Sequence, residues 1–176
     1  MRIIAIEEHF STPLYRQKVS ANEFRSFYIT SRGEQIGHDI VKELADLGES
    51  RIKFMDAHGV DVQVLSFTSP GPQGFPADEA IPMAKDANDR LHQAVKAHPT
   101  RFAGFAALPT AAPEAAADEL ERCVKDLGFK GTMIHGHTMG SFLDEKKYWT
   151  IFERAEKLDV PIYLHPTLPS PLALKA

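Results

Sequence analysis

Short apolar runs alternate with amphipathic helical segments along this sequence, and this alternation constrains the fold more than any other feature. Such an order is typical of α/β proteins, in which parallel strands are buried on both faces beneath the helices. The sequence therefore predicts the order β-α-β-α-β-α-β-α-β. The predicted strands are Arg2–Ile6, Val60–Phe67, Phe102–Ala107, Gly131–His135 and Val160–His165.

The predicted helices have recognisable ends. Gly59 and Gly128 each follow a helical segment, at the position where a left-handed residue commonly ends a helix. Pro113 suits the first turn of another helix, and Asp78 is predicted to cap the longest one. The polar stretch Ser11–His38 is predicted to be a loop with a helical turn or two. The predicted helices are Asp39–Leu47, Arg51–His58, Asp78–His98, the segment that Pro113 opens, and Asp144–Leu158.

Two architectures satisfy this order of elements. One is an open, doubly wound parallel sheet, and the other is a (β/α) barrel. A complete (β/α)8 barrel takes about 250 residues, whereas this chain has 176. Five strands would therefore form only part of a barrel, and the residues alone leave both architectures open.

Composition excludes several classes of function. The chain has 20 Lys and Arg against 24 Asp and Glu, a net charge of −4, which is unlike a nucleic-acid-binding surface. No apolar run approaches the roughly 20 residues of a membrane span, and Glu7 and Glu8 lie where a signal peptide would be apolar. The single cysteine, Cys123, excludes an internal disulfide and is predicted to be a buried small hydrophobe. We therefore expect a soluble, cytoplasmic protein.

Two predicted strands end in side chains that can bind a metal ion. Glu7 and His9 lie two residues apart at the end of the first strand, so their side chains share one face. His165 ends the fifth strand and is followed by Pro166, which restricts the backbone there. Catalytic groups of barrels collect at the carboxyl ends of strands. The competing interpretation is that all three are ordinary polar residues at strand ends.

Other candidates are weaker. His135 and His137 follow the fourth strand, where we favour substrate contact or loop structure over metal binding because Gly136 between them loosens the backbone. A G-x-S-x-G elbow, a P-loop and a G-x-G-x-x-G fingerprint are all absent. The remaining histidines are predicted to be surface or capping residues: His38, His58, His92 and His98.

Five segments of the sequence together resemble one family. They are, in order, IIAIEEHF, MDAHGVDVQVLSFTSPG, GFAALP, GTMIHGHTMG and YWTIFERAEKLDVPIYLHP. These segments resemble the amidohydrolase-related, metal-dependent decarboxylases, and are most similar to the γ-resorcylate and 2,3-dihydroxybenzoate type. The resemblance covers nearly the whole chain and implies a (β/α)8 barrel.

The resemblance also implies a metal centre. Members of this family bind one divalent metal ion, zinc or manganese, through Glu-x-His on strand one and a histidine that ends strand five. These positions are Glu7, His9 and His165 here. Binuclear relatives place a bridging lysine at the end of strand four, where this chain has His135, with Lys130 before the strand. One metal ion is therefore expected.

The implied activity is non-oxidative decarboxylation of a hydroxylated aromatic carboxylate. The metal would bind the substrate carboxylate and the neighbouring phenolate oxygen, and an acid would protonate the ring carbon before CO₂ leaves. Phe10, Phe67, His135 and His137 are expected to contact this substrate. The alternatives are a metal-dependent hydrolase of a lactone or ester and a truncated, non-catalytic remnant.

The family pattern extends past this sequence. Family members continue through three more β/α units, which hold a histidine acid/base near strand six and an aspartate near strand eight. We therefore expect residues 1–176 to be the N-terminal part of a single barrel domain, with the acid/base residues beyond Ala176. The intact protein is expected to be a homo-oligomer, and the 176-residue chain alone is expected to be inactive.

Overall fold

The computed structural model describes residues 1–19 and 39–167. Five parallel strands form the frame: β1 (Ile4–Phe10), β2 (Val62–Phe67), β3 (Phe102–Gly104), β4 (Thr132–His135) and β5 (Ile162–His165). Six α-helices accompany them within the described ranges: α1 (Pro13–Lys18), α2 (Ile40–Ala45), α3 (Glu49–Ala57), α4 (Ala77–Ala97), α5 (Pro113–Lys125) and α6 (Trp149–Leu158).

The strands lie side by side in the order in which they occur in the chain. β1 pairs with β2, β2 with β3, and β4 with β5, all in parallel. A single parallel bridge between Ala106 and Thr132 joins the two sets. A doubly wound sheet would reverse its strand order at a switch point, and these strands show no reversal. The open alternative from the sequence is therefore wrong, and the arrangement is that of successive barrel strands.

Most predicted elements are confirmed, with shifts at their ends. Gly59 and Gly128 have φ values of +69° and +73°, as expected for residues that end helices. β1 begins later than predicted and continues to Phe10, and β3 ends at Gly104. Beyond Gly104 the Phe105 N–H still donates to the carbonyl of Leu65 on β2, whereas the Ala106 N–H donates to the carbonyl of Gly131, which precedes β4.

Two details of the predicted helices are wrong. Asp78 does not cap α4, because the helix begins one residue earlier, at Ala77, and its N-cap is Pro76. Asp78 instead lies in the first turn, where its charge interacts favourably with the helix dipole. The predicted helix Asp144–Leu158 is divided into a 3₁₀ turn, Lys146–Tyr148, and α6. Most of the Ser11–His38 stretch lies outside the described residues, although α1 is the expected helical turn.

The two faces of the strands have different surroundings. The main hydrophobic core packs between the strands and the helices, and it includes Leu65, Phe67 and Ile134. A smaller cluster on the other face contains Val64, Phe105 and Met133. Because side chains alternate along a strand, the residues that share this second face include His9 on β1, His135 on β4 and His165 on β5. No helix in the described part of the chain is both long and apolar enough to cross a membrane.

Candidate metal centre

Three side chains converge at the carboxyl ends of the two outer strands. Glu7 and His9 extend from the same face of β1, and His165 is the last residue of β5. One ligand atom from each lies within 4.8 Å of the other two. The structure thus brings together the two positions of the Glu-x-His pair and the distant histidine that the sequence predicts to join them. One carboxylate and two imidazoles form a donor set that suits zinc and other divalent ions.

The hydrogen bonds of His165 favour a cation in this cluster. Its Nδ1 lies 2.5 Å from the carbonyl oxygen of Pro166, which can only accept, so Nδ1 carries the proton. Nε2 lies 3.1 Å from Oε1 of Glu7. In the neutral ring, Nε2 then presents its lone pair towards a carboxylate. A proton or a metal ion between these two atoms removes that repulsion, so the residues present fit a bound cation.

Tyr163 orients the carboxylate of Glu7. Its hydroxyl, two residues before His165 on β5, donates to Oε2 of Glu7 over 2.6 Å. This hydrogen bond is the main reason why the pKa of Glu7 is lowered, and the nearby His165 and His9 act in the same direction. Glu7 therefore remains ionised at neutral pH and leaves Oε1 for a cation. Tyr163 could not be recognised as a site residue from the sequence, because only its place on β5 points to the site.

His9 is held from two sides. Its Nδ1 lies 3.0 Å from Oγ of Ser66, the residue opposite it on β2. Its backbone carbonyl accepts a hydrogen bond of 2.8 Å from Arg51, which also bonds to Gln63. Burial, and next the neighbouring His165, lowers the pKa of His9 to about 4. The ring is therefore neutral at pH 7, the form that binds metal ions.

His135 lies beside the cluster without joining the ligand set. It is 4 % exposed, and the centres of its ring and that of His165 are 5.0 Å apart. Within the described residues its Nδ1 has no hydrogen-bond partner, although it is buried. Burial lowers the pKa of His135 to about 4, so this ring too is neutral at pH 7. The structure therefore places a buried, neutral imidazole next to the cluster of Glu7, His9 and His165.

Gln73 fixes the backbone of His135. It is buried in the 3₁₀ turn Gly71–Gly74 that follows β2. Its Oε1 accepts from the His135 N–H over 2.7 Å, and its Nε2 donates to the His135 carbonyl and to the Thr138 hydroxyl. Thr138 in turn bonds to the hydroxyl of Thr110. Gln73 thus ties the loops after β2, β3 and β4 together, and no pattern in the sequence indicates this role.

The other predicted substrate contacts are placed differently. Phe10 and Phe67 are 1 % and 4 % exposed and pack edge-to-face against each other, within the core beneath the helices. Phe10 follows His9 directly and so lies on the opposite face of β1. This placement contradicts the expectation that the two rings contact a substrate. His137 accepts a hydrogen bond from Gly140 N–H within a short hairpin, which is the loop role that the sequence analysis considered.

The remaining candidates match their expected structural roles. His58 caps α3 and stacks on Phe54, and His92 on α4 contacts the carbonyl of Leu127. His98 caps α4, whereas His38 lies outside the described residues. Cys123 is fully buried, and burial raises the pKa of its thiol, so it is unsuited to act as a nucleophile.

The strand order and the side-chain cluster together are typical of an α/β protein of the (β/α)-barrel type with a candidate metal site. Comparison with known proteins gives the family: residues 23–175 match the amidohydrolase family, and the chain belongs to it. It is 38 % identical over 178 residues to a gamma-resorcylate decarboxylase of a Polaromonas species, and this match covers 96 % of the chain and 51 % of the relative.

Two solved structures show the same likeness. A dihydroxybenzoic acid decarboxylase from Polaromonas, with bound manganese and the inhibitor 2-nitroresorcinol, matches with a TM-score of 0.85 and 36 % identity. This match covers 99 % of the present chain and 52 % of the Polaromonas chain. A 5-carboxyvanillate decarboxylase from Novosphingobium aromaticivorans, complexed with manganese, matches with a TM-score of 0.86 and 36 % identity. That match covers 99 % of the present chain and 54 % of the Novosphingobium chain. The chain thus spans about half the length of these relatives.

Proposed function

We propose that the protein containing this chain is a metal-dependent, non-oxidative decarboxylase of a hydroxylated aromatic carboxylic acid. The observation that carries the proposal is the convergence of Glu7, His9 and His165 within 4.8 Å at the carboxyl ends of the strands. The relatives named above support the substrate class, since they are decarboxylases of resorcylate, dihydroxybenzoate and carboxyvanillate.

Glu7, His9 and His165 would hold one divalent ion, zinc or manganese. The carboxylate is kept ionised by Tyr163, and both imidazoles have their Nδ1 atoms engaged by other groups. Manganese is bound in two of the similar structures, which supports this choice. When bound, such an ion acts as a Lewis acid that stabilises negative charge on carboxylate and phenolate oxygens.

His135 is proposed to contact the substrate. Its buried Nδ1 lacks a partner among the described residues, and a buried polar atom normally has one. A hydroxyl or carboxyl group of an aromatic acid could supply that hydrogen bond. Gln73 would keep the ring at a fixed distance from the metal ligands by holding the His135 backbone. His137 remains a proposed substrate contact, because it lies in the short hairpin after β4 that its hydrogen bond from Gly140 stabilises.

The activity is proposed for the whole protein. Residues 1–176 would form the N-terminal part of a single barrel domain, because the chain spans about half of its relatives. The remaining β/α units would supply the acid that protonates the ring carbon. We further propose that the intact protein is a homo-oligomer in the cytoplasm; light scattering and cell fractionation test these two points.

The test is CO₂ release from hydroxylated benzoates. The protein is expressed from its complete reading frame, freed of metal with a chelator, and assayed with 2,6-dihydroxybenzoate and related acids before and after addition of Mn²⁺ or Zn²⁺. We expect release that depends on the added ion. If the metal-loaded protein released no CO₂ from any of these acids, the proposed function would be wrong.

A further inference from the structure

We propose that Ser66 is a positioning residue for the metal centre, which fixes the tautomer of His9. In this role Ser66 keeps the proton of the neutral imidazole on Nδ1 and leaves Nε2 free to bind the metal ion. The inference rests on the proposed function, because it concerns the same centre. It assigns a task to a residue that is not itself a ligand.

The geometry places Ser66 between two groups of β1. Ser66 is fully buried near the end of β2, and its Cα is the register partner of His9. Its Oγ lies 3.0 Å from Nδ1 of His9 and 3.2 Å from the backbone carbonyl oxygen of Glu8. One hydroxyl thus meets both a ring nitrogen of a candidate ligand and a carbonyl group.

The proton count then decides the tautomer. A serine hydroxyl has one proton to donate and two lone pairs that accept. The carbonyl of Glu8 can only accept, so the hydroxyl donates its proton there. Oγ is left as an acceptor, and its partner Nδ1 of His9 must therefore carry the ring proton. A neutral imidazole has only one such proton, which leaves the lone pair of Nε2 available.

The opposite tautomer of His9 would weaken the metal centre in two ways. If Nε2 carried the proton, it could not bind a metal ion without first losing it. Ser66 would then have to donate to Nδ1 and give up its bond to the carbonyl of Glu8, which lies where the β1–β2 register shifts. At His165 the tautomer is fixed by a backbone group instead, because Nδ1 bonds to the carbonyl of Pro166. Ser66 is therefore the side chain through which the tautomer control can be tested.

A purely structural role must be separated from this one. The bond from Ser66 to the Glu8 carbonyl also stabilises the irregular β1–β2 pairing, so loss of the hydroxyl could weaken the sheet. That role alone would lower stability and leave the His9 tautomer unchanged. The experiment therefore needs a readout of the ring proton in addition to metal affinity.

The test compares Ser66→Ala, Ser66→Thr and a matched control, Ser11→Ala, in the protein expressed from its complete reading frame. Ser11 is 3 % exposed, and its hydroxyl has no partner among the described residues. Mn²⁺ affinity is measured from the electron paramagnetic resonance signal of the free ion. We expect binding about 10–100-fold weaker for Ser66→Ala, as is usual for groups that orient a ligand. Ser66→Thr, which keeps the hydroxyl, and Ser11→Ala should bind like the wild type.

The tautomer is read in the metal-free protein labelled with ¹⁵N-histidine. We expect His9 of the wild type to carry its proton on Nδ1, and Ser66→Ala to populate both tautomers. A wild-type His9 protonated on Nε2 would overturn the proposal without any variant. So would a folded Ser66→Ala protein with an unchanged tautomer and unchanged Mn²⁺ affinity. Failure of the wild type to bind Mn²⁺ would instead refute the proposed function, and the tautomer of the metal-free protein would still test Ser66.

Discussion

Replacing Gln73 with Met tests how the carboxyl end of β4 is held. The side chains are similar in length, but Met has no amide. The variant would remove the acceptor of the His135 N–H, which lies 2.7 Å from Oε1 of Gln73, and the donor to the Thr138 hydroxyl. Gln73 is 4 % exposed, so water does not readily replace these partners. We therefore expect a loss of stability well above that of a surface substitution.

The magnitude follows from the groups left behind. An unsatisfied buried N–H costs about 1–3 kcal/mol, and the lost hydrogen bond to Thr138 contributes about 1 kcal/mol. The apolar surface of Met offsets a part of this sum. After this offset we expect the free energy of unfolding to fall by about 1–3 kcal/mol, a large share of the roughly 5–15 kcal/mol of a typical domain.

Urea denaturation followed by circular dichroism measures this change. Gln93→Met is the matched control, because Gln93 is exposed within α4 and Met has a similar helix propensity. The control should differ from the wild type by less than about 0.5 kcal/mol. If Gln73→Met were as stable as Gln93→Met, then Gln73 would not anchor His135, and the description of this part of the site would be incorrect.

Three further predictions concern the metal centre and the strand edges. Glu7→Gln should lower metal content and CO₂ release while the circular dichroism spectrum is retained, because it removes the negative charge of a proposed ligand. The exposed Glu153→Gln should behave like the wild type, and full activity of Glu7→Gln would exclude Glu7 as a ligand. Tyr163→Phe should raise the pKa of Glu7 towards its ordinary value, so that protons displace the metal ion at a higher pH than in the wild type. Mn²⁺ binding is measured against pH. The absence of such a shift would show that the 2.6 Å hydrogen bond has no effect on Glu7. A polypeptide confined to residues 1–176 should self-associate in light scattering and release no CO₂ above background. The reason is that β1 and β5 have no strand partner on their outer edges among the described residues, and they expose Ile4, Ile6 and Leu164. An active, monodisperse monomer would contradict this.

The strands and the pairing of Glu7 with His9 were predictable because their signals lie within single segments. Each strand is a short segment rich in apolar and β-branched residues, and His9 and His165 stand at or next to the last residue of their strands. Alternation along β1 alone places Glu7 and His9 on one face. The family resemblance then joins that pair to His165, 156 residues further along the chain, which no local pattern could do.

The supporting residues could not be predicted, because they become neighbours only when distant strands pair. Ser66 meets His9 across 57 positions of the sequence, and Gln73 meets His135 across 62. Serine and glutamine are ordinary residues at the end of a strand and in a Pro/Gly loop. Their roles depend on register and hydrogen-bond geometry, which the sequence pattern does not contain.

The wrong predictions also have physical causes. Asp78 was predicted to be a cap because its residue type suits that position, but the backbone turns into the helix before it, at Pro76. Phe10 was expected to contact the substrate. Adjacent residues of a strand face opposite ways, and so Phe10 belongs to the helix-covered core.

The central claim is that Glu7, His9 and His165 hold one divalent ion, and anomalous diffraction tests it most directly. Crystals of the protein from its complete reading frame, grown with Zn²⁺, are measured on both sides of the zinc absorption edge. We predict one anomalous peak about 2.0–2.2 Å from a carboxylate oxygen of Glu7 and from Nε2 of both histidines. A zinc peak at another place would contradict the account. So would a bound zinc ion that lacks contact with even one of the three side chains.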